Sequence, residues 1–186
     1  MNTRTIAAIV MFAALAIMLN LSPLKIPAPY APFLIYQIWE IPIVAAFLLF
    51  RAKVGILITL INTMALMALF PGALPTGPFY NMVAVLSMLA GIGLMKFFVD
   101  KHPPRHEAVV ASAFTASGTI LRALIMVLVN YALLRYPPPV GYSLPEEPII
   151  AMMPLVAIFN ITLALYTIPI GFSLAKIVKS SVKTLA

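Results

Sequence analysis

Apolar runs separated by short polar segments dominate the hydropathy pattern of the chain. Six runs are evident, at roughly 5–22, 38–50, 53–70, 79–98, 108–135 and 149–176. A helix needs ~20 apolar residues to cross the hydrocarbon of a bilayer, at ~1.5 Å per residue. The second run is short for this unless its helix begins within the preceding YQIWE segment, whereas the last two are long enough to tilt or project. The pattern predicts an all-α membrane protein, a single six-transmembrane-helix bundle over residues 1–186.

Composition supports a membrane protein and excludes a soluble globular domain. Of the 186 residues, 63% are hydrophobic and only 9% are charged, whereas about a quarter of the residues of a soluble domain are charged. The net charge of +7 comes from dispersed Lys and Arg, without a cluster of basic and aromatic residues. We therefore expect contact with the lipid bilayer and no binding of nucleic acid.

Basic residues are divided unequally between the two ends of the predicted helices. Nine lie at the termini or in the second and fourth connections: Arg4, Arg51, Lys53, Lys96, Lys101, Arg105, Lys176, Lys179 and Lys183. Lys25 and Arg135 lie in the other connections, and Arg122 falls inside the fifth run. The positive-inside rule then predicts that both termini are cytoplasmic, in a multi-pass protein of the cell membrane.

The three predicted outer connections are rich in Pro, Gly and Tyr. They read SPLKIPAPYAPFLIYQIWE, PGALPTGPFY and RYPPPVGYSLPEEP, and they hold most of the 17 Pro. Proline stiffens a loop, which suits a segment that lines or covers the mouth of a site, although it can also serve only to end a helix. The similarity of the three connections favours a site that faces outward.

The motifs of most enzymes and pumps are missing from the sequence. There is no GxxxxGK[ST] loop, so the chain does not bind ATP through a P-loop. There is no HExxH motif and no Cys, and the only two His flank Pro103 and Pro104, so no metal site is predicted. The third to sixth runs contain no Asp or Glu, which membrane hydrolases and proton-driven carriers need. We expect a binding protein that has no cofactor and no energy source of its own.

Amide side chains interrupt the apolar runs. They are Asn20, Asn62, Asn81, Asn130 and Asn160. A buried amide needs hydrogen-bond partners or costs on the order of 2–7 kcal/mol, and contacts between helices are its common role in membranes. The bias of these Asn toward the predicted outer half, beneath aromatic connections, favours a polar pocket for an organic ligand.

Arg122 lies near the centre of the fifth run, where a cation usually marks a function or a buried partner. It stands eight residues before Asn130, which corresponds to ~12 Å along a helix. An anionic group of a ligand, a carbonyl of a broken helix and a partner subunit are all open as its contact at this point.

The segment YQIWEIP places Tyr36, Trp39 and Glu40 just before the second run. Tyr and Trp are common in interfacial belts, but they also stack on planar ligand rings, and Tyr131 beside Asn130 has the same two interpretations. Glu40 would stand at the head of the second helix, where the helix dipole favours an anion and water or loop amides can reach it. Glu40 could cap this helix or contact a ligand, and its position at the helix start slightly favours the cap.

Four segments together resemble a known family. IYQIWEIP is similar to the Tyr-Asp-Phe-Ser-Asp-Ile-Pro signature of riboflavin-specific S components of energy-coupling factor (ECF) vitamin transporters, from which Gln37 and Trp39 depart. PTGPFYNMVAV, IMVLVNYALL and IFNITLALY resemble their Thr-Gly, Met-Val-x-x-Asn-Tyr and Phe-Asn segments, so that the similarity covers essentially the whole chain. The resemblance implies a substrate-binding membrane protein of a prokaryote, which docks on a T component carrying two ATPases.

The same resemblance implies riboflavin as the ligand and suggests which residues contact it. Tyr36 and Trp39 would lie against the isoalloxazine ring, while the Asn side chains of helices 4, 5 and 6 bond its polar edges. The candidate contacts are Tyr36, Trp39, Glu40, Thr76, Gly77, Asn81, Asn130, Tyr131 and Asn160.

The chain departs from the family at two places. Riboflavin-specific members carry a ligand-contacting Lys shortly after the Asn of helix 6, where this chain has Leu163. The family docks through an Ala-x-x-x-Ala motif in helix 1; this chain has no strict match, although Ala7 and Ala14 share a face that can pack against a partner helix. Two alternatives therefore stay open: an S component for an anionic vitamin such as pantothenate or biotin, which Arg122 would favour, and a ligand-free membrane scaffold or accessory subunit.

Overall fold

The computed structural model describes residues 3–69, 75–102, 104 and 106–184. Six helices lie in these residues: α1 Thr3–Leu21, α2 Ile41–Leu49, α3 Ala52–Leu69, α4 Gly77–Lys101, α5 Glu107–Leu133 and α6 Glu146–Thr184. A short hairpin of two strands, β1 Ile26–Ala28 and β2 Ala31–Tyr36, joins α1 to α2. The predicted helices are thus present, while Arg105 and residues 71–74 of the second Pro-rich connection fall outside the described residues.

Proline and acidic residues mark the starts of most helices. α2 has Pro42 and α4 has Pro78 in the first turn, where a backbone N–H is not needed for the helix. α5 begins at Glu107, and α6 begins with two acids, which the positive end of the helix dipole favours. The helix starts predicted from hydropathy are accordingly close to the observed ones.

Length separates α2 from the other helices. Within the described residues, four helices are long and apolar enough to cross a membrane, and α1 contributes the shorter apolar stretch Thr5–Leu21. The chain is therefore a multi-pass membrane protein. α2 has nine residues, or ~14 Å, which is less than half of the ~30 Å of hydrocarbon. The helix in run 38–50 begins at Ile41 and not within YQIWE, so it lacks the extra length that a start in this segment would have given it.

The hairpin occupies the part of the chain before α2 that hydropathy assigned to a loop and a helix start. Its strands pair antiparallel, with Ile26 opposite Tyr36. Each strand of a two-stranded ribbon has one unpaired edge, where residues such as Pro27 and Pro32 are tolerated. The hairpin packs on the first half of α6, where the Tyr36 ring centroid lies 5.0 Å from that of Phe159.

α2, which follows the hairpin in the chain, packs against the second half of α6. A Cβ added to Gly171 of α6 would lie 2.8 Å from the Val44 side chain of α2, so the two backbones approach closely here. Together the hairpin and α2 run beside α6 for most of its length, and only the α2 part is helical.

The bundle has two distinguishable ends. The hairpin and the connections that precede α4 and α6 meet at one end, which we call the hairpin end; there the Thr76 hydroxyl donates to the Pro139 carbonyl. At the opposite end, Lys176 of α6 pairs with Glu107 at the start of α5. The helices α4, α5 and α6 therefore alternate in direction.

The apolar core surrounds α2. Four consecutive α2 residues, Ile43 to Ala46, are fully buried, and they belong to one cluster with Ile58 of α3, Ile92 of α4 and Ile168 of α6. The second cluster, formed by Tyr80, Ala84 and Met126, is much smaller and lies toward the hairpin end. Dense packing is thus concentrated away from the hairpin, and this distribution leaves room for a cavity beside it.

Candidate ligand-binding site

A cavity of about 240 Å³ lies between the hairpin and helices α4, α5 and α6. Most of its lining is apolar or aromatic, and its polar side chains include Asn81 of α4, Arg122 and Asn130 of α5, and Asn160 of α6. Small-molecule sites typically have volumes of roughly 300–1,000 Å³ and combine an apolar lining with a few polar groups. The cavity is somewhat smaller than this range but has the same mixed lining, and it suits a compact organic ligand.

A buried ion pair forms the floor of the cavity, ~12 Å below Asn130 along α5. Arg122 and Glu40 are each 2% exposed. The Nη2 atom of Arg122 donates to Glu40 Oε1 at 3.0 Å, and Nη1 donates to Glu40 Oε2. The Nε atom donates to Asn160 Oδ1 at 2.9 Å, and Nη1 also contacts Met88 Sδ at 3.7 Å. These contacts thus connect Glu40, the residue before α2, with side chains of α4, α5 and α6.

The guanidinium of Arg122 retains one hydrogen-bond donor beyond these contacts. Of its five N–H groups, Nε–H and both hydrogens of Nη1 are engaged, and Nη2 uses one hydrogen for Glu40, with no further partner in the described residues. In a planar guanidinium the second Nη2 hydrogen projects from the same edge as Nε–H, which here faces Asn160. Because Arg122 and Asn160 both line the cavity, the floor offers a donor but carries no net charge.

The Asn side chains above the floor differ in what they can offer a ligand. Asn130 Nδ2 donates to the Met126 carbonyl at 2.7 Å, and Asn160 Nδ2 donates to the Val156 carbonyl at 2.9 Å. These bonds orient both amides along their own helices and leave Asn130 Oδ1 as an acceptor. Asn81 is exposed and makes no hydrogen bond to another described side chain or carbonyl. The cavity therefore presents an acceptor and a complete amide above the donor of the floor.

Tyr80 fixes the connection between α5 and α6 over the cavity. Its hydroxyl donates to the Val140 carbonyl at 2.8 Å, next to the bond that Thr76 makes to Pro139. Tyr142, two residues further on, lines the cavity. The start of α4 thus holds the connection in place at the mouth.

The structure brings five of the predicted residues together around the cavity and places the others elsewhere. Those that line it are Gly77, Asn81, Arg122, Asn130 and Asn160. Glu40 lies behind Arg122, and the Thr76 hydroxyl is bound to the neighbouring connection. The Tyr131 hydroxyl donates to Glu146 Oε1 at 2.9 Å on the exposed surface.

Tyr36 lies against a second recess between the hairpin and α6. This recess of about 530 Å³ is almost entirely apolar and is lined by Leu24, Ile26 and Tyr166, among others. The Tyr36 hydroxyl bonds Thr162 at 2.6 Å and is also bonded to Tyr30. The ring of Tyr36 is therefore separate from the polar cavity.

Glu40 does not cap α2 with its side chain, contrary to expectation. The carboxylate makes no bond to a backbone N–H of that helix and is instead bound through both oxygens to Arg122. Two parallel N–H groups of a guanidinium form a stronger contact with a carboxylate than neutral donors at a helix end. The prediction of a rim position reached by water is wrong, because Glu40 is buried at the floor.

Two of the five Asn lie outside the cavity. Asn20 of α1 and Asn62 of α3 are buried, and Asn20 Nδ2 and Asn62 Oδ1 have no partner in the part of the chain that the structure describes. The interpretation of the Asn side chains as one polar pocket therefore applies to those of α4, α5 and α6 only.

Trp39 packs in the apolar core instead of the cavity, with 3% of its surface exposed. It is the only Trp, so the tryptophan fluorescence of the protein reports its surroundings alone. We expect emission at shorter wavelength than that of free tryptophan and weak quenching by acrylamide, because the ring is excluded from water. Trp39→Phe should abolish the signal, and emission typical of a solvated indole would contradict the structure.

Several residues that line the cavity were not predicted from the sequence. They include Leu34, Met126, Tyr142, Val156 and Phe159. Helical periodicity contains a signal for two of them, since Met126 and Val156 each precede a lining Asn by four residues and so share its face. The hairpin residues had no such signal, because the strand pairing was not predicted.

The structure combines a helical bundle, a hairpin before a short helix, and a polar cavity at the hairpin end. A solved structure reported as the S component of a bacterial ECF transporter is similar to this chain, with a TM-score of 0.68 and 21% sequence identity, over 98% of this chain and 97% of that one. No protein-family model and no curated protein matches the sequence. The chain therefore has the fold of an ECF S component, as the motif resemblance implied.

Proposed function

We propose that this chain is the substrate-binding S component of an ECF transporter and that it binds riboflavin for uptake. The observation that carries the proposal is the convergence of Asn81, Asn130 and Asn160, from three different helices, on one cavity. Each of these Asn lies in a segment that resembles riboflavin-specific S components, and a transporter S component shares the fold over nearly the whole chain.

The cavity offers contacts that match a flavin ring. The isoalloxazine has two apolar faces and one edge that carries both carbonyl oxygens and an N–H group. Its faces would lie against Met126, Val156 and Phe159, and aromatic contact adds to the stabilisation from burial. Its polar edge would accept a hydrogen bond from the free N–H of Arg122 at the floor, while Asn130 Oδ1, ~12 Å higher along α5, would accept from a hydroxyl of the ribityl chain. These assignments replace Tyr36 and Trp39, which lie outside the cavity.

Leu163 does not supply the cationic contact that riboflavin-specific members have at this position. Its side chain is buried outside the cavity. Arg122 is the charged residue among those that line the cavity in the described residues. An anionic vitamin such as pantothenate or biotin is less favoured than the initial interpretation of Arg122 suggested, because Glu40 already neutralises this cation.

Energy for uptake would come from partners, because the chain has no P-loop. Ala7 and Ala14 lie on an exposed face of α1 with Met11 and Met18. Small residues permit close approach of a partner helix in a membrane, and we place the contact with a T component, which carries two ATPases, on this face. With both termini in the cytoplasm of a prokaryote, as the charge bias predicts, the hairpin end would face outward and capture the ligand.

Riboflavin binding by the purified protein tests the proposal. We expect a saturable rise in melting temperature with added riboflavin, because a ligand that binds only the folded state stabilises it, and flavin absorbance in protein purified from riboflavin-containing cells. Protein that is free of flavin and whose melting temperature is unmoved by riboflavin would reject this ligand; a chain that no vitamin stabilises would support a scaffold role.

Asn130→Ala tests the site within this protein. Loss of the acceptor at Asn130 Oδ1 should weaken riboflavin binding about tenfold, since one hydrogen bond contributes roughly 1 kcal/mol or more. Tyr131→Phe is the matched control, because this neighbouring hydroxyl bonds Glu146 outside the cavity. Titration of flavin fluorescence measures both affinities, and equal affinity in Asn130→Ala and the unmodified protein would reject the assigned contact.

A further inference from the structure

The floor of the cavity is a fully paired charge rather than an open cation. Both carboxylate oxygens of Glu40 accept from Arg122, and a third bond ties the same guanidinium to Asn160. No other charged side chain lines the cavity in the described residues. The floor therefore offers a ligand one N–H donor, and the floor as a whole has no net charge.

We propose that Glu40 determines the charge of the ligand: by neutralising Arg122 it makes the cavity accept an uncharged hydrogen-bond acceptor and reject anions. The proposal rests on the proposed function in so far as it takes this cavity as the ligand site. Glu40 does not line the cavity itself and acts through Arg122, so it is a positioning residue whose effect is on specificity.

The reason is the cost of unpaired charge in a buried site. A neutral carbonyl oxygen that accepts the free Nη2 hydrogen leaves the ion pair intact and adds no charge. A carboxylate or phosphate at the same place would put a second negative charge beside the single guanidinium, against Glu40, and would lose its hydration without a cation of its own. Removal of the Glu40 charge reverses this preference, because an anion then pairs with an otherwise uncompensated Arg122.

Acetate and acetamide are suitable probes, since they have nearly the same shape and only acetate is charged. Melting temperature is measured against the concentration of each in the unmodified protein, in Glu40→Gln and in the double variant Glu40→Gln/Arg122→Met. We expect acetate to raise the melting temperature of Glu40→Gln saturably by several degrees. Its apparent affinity should exceed that for the unmodified protein at least about tenfold, as expected of a charge-assisted contact.

Two comparisons exclude a general effect of salt. The double variant lacks the cation and should show no acetate response. Glu107→Gln makes the same chemical change at the exposed pair with Lys176, outside the cavity, and should respond as the unmodified protein does. Acetamide should not distinguish the unmodified protein, Glu40→Gln and Glu107→Gln, since it carries no charge and all three retain the N–H donor of Arg122.

The proposal is overturned if acetate stabilises the unmodified protein as much as Glu40→Gln, or if Glu40→Gln gains no acetate response. If Glu40→Gln is recovered unfolded, the readout becomes the yield of folded protein purified with acetate or with acetamide. Recovery with acetate alone supports the proposal, and equal recovery with both or with neither overturns it. No step uses riboflavin, so a negative riboflavin titration together with a positive acetate result would reject the vitamin and retain the role of Glu40.

Discussion

Glu40→Gln is expected to lower the free energy of unfolding by about 3–5 kcal/mol, the usual cost of removing one partner from a buried ion pair. Arg122 is 2% exposed and is bound by both oxygens of the carboxylate. The amide of Gln has only one oxygen, so it can accept from only one of the two Arg122 nitrogen atoms that now bond Glu40. Its N–H₂ group would face the other nitrogen, which is also a donor. A guanidinium does not lose its proton in proteins, so Arg122 would remain charged, buried and uncompensated.

Removal of the other partner of the pair, by Arg122→Met, should lower the free energy of unfolding by less than Glu40→Gln does. A lone buried carboxyl can take up a proton and become neutral, whereas the guanidinium has no such route. The double variant Glu40→Gln/Arg122→Met should be more stable than Glu40→Gln alone, because it buries no charge. Unfolding by SDS in mixed micelles, followed by Trp39 fluorescence, measures all three variants. A cost below about 1 kcal/mol for Glu40→Gln, or equal stability of Glu40→Gln and the double variant, would contradict the buried pair.

Gly91→Ala is expected to lower the free energy of unfolding by about 1–3 kcal/mol, the usual cost of overpacking a core. A Cβ at Gly91 would lie 2.8 Å from the carbonyl carbon of Ser117 and 2.9 Å from the Cα of Gly118. These are backbone atoms of the facing helix α5, so they cannot move aside as a flexible side chain can. The substitution would force α4 and α5 apart at this point of close backbone contact.

Gly93→Ala provides the matched control in the same helix. Its Cβ would lie 3.4 Å from Phe47 Cζ, the far end of a side chain that can adjust. Both substitutions gain roughly 0.5–1 kcal/mol of helix propensity, so any difference between them measures the packing alone. We expect Gly93→Ala to be as stable as the unmodified protein or slightly more so. If Gly91→Ala is equally stable in the same SDS titration, α4 and α5 do not approach as closely as described.

Hydropathy alone predicted the helices well, because each long apolar run has few other stable arrangements in a bilayer. It failed at residues 22–49, where two short strands and a nine-residue helix are together as apolar as one irregular span. The Pro residues of this segment suggested a stiff loop, and nothing local in APFLIY indicated that it pairs with Ile26. Strand pairing here depends on packing against α6, which a local pattern does not contain.

The Asn side chains of the cavity could be predicted because each interrupts a long apolar run. The partner of Arg122 could not be assigned, since Glu40 lies 82 positions away along the chain and seemed to belong to a helix end. One signal was present: Glu40 and Arg122 are opposite charges that both lie against or within apolar runs. A buried charge needs a compensating partner, so pairing the two was the simplest way to satisfy both.

The dense core around α2 and the cavity beside the hairpin lie toward opposite ends of the molecule. Substitutions in the hairpin or in the connection that carries Tyr142 change what a ligand touches and leave the packing of α2 untouched. Substitutions at the hairpin end can therefore alter the lining of the cavity while the core that stabilises the fold is kept. Such a division is compatible with two chains that share one architecture at 21% identity.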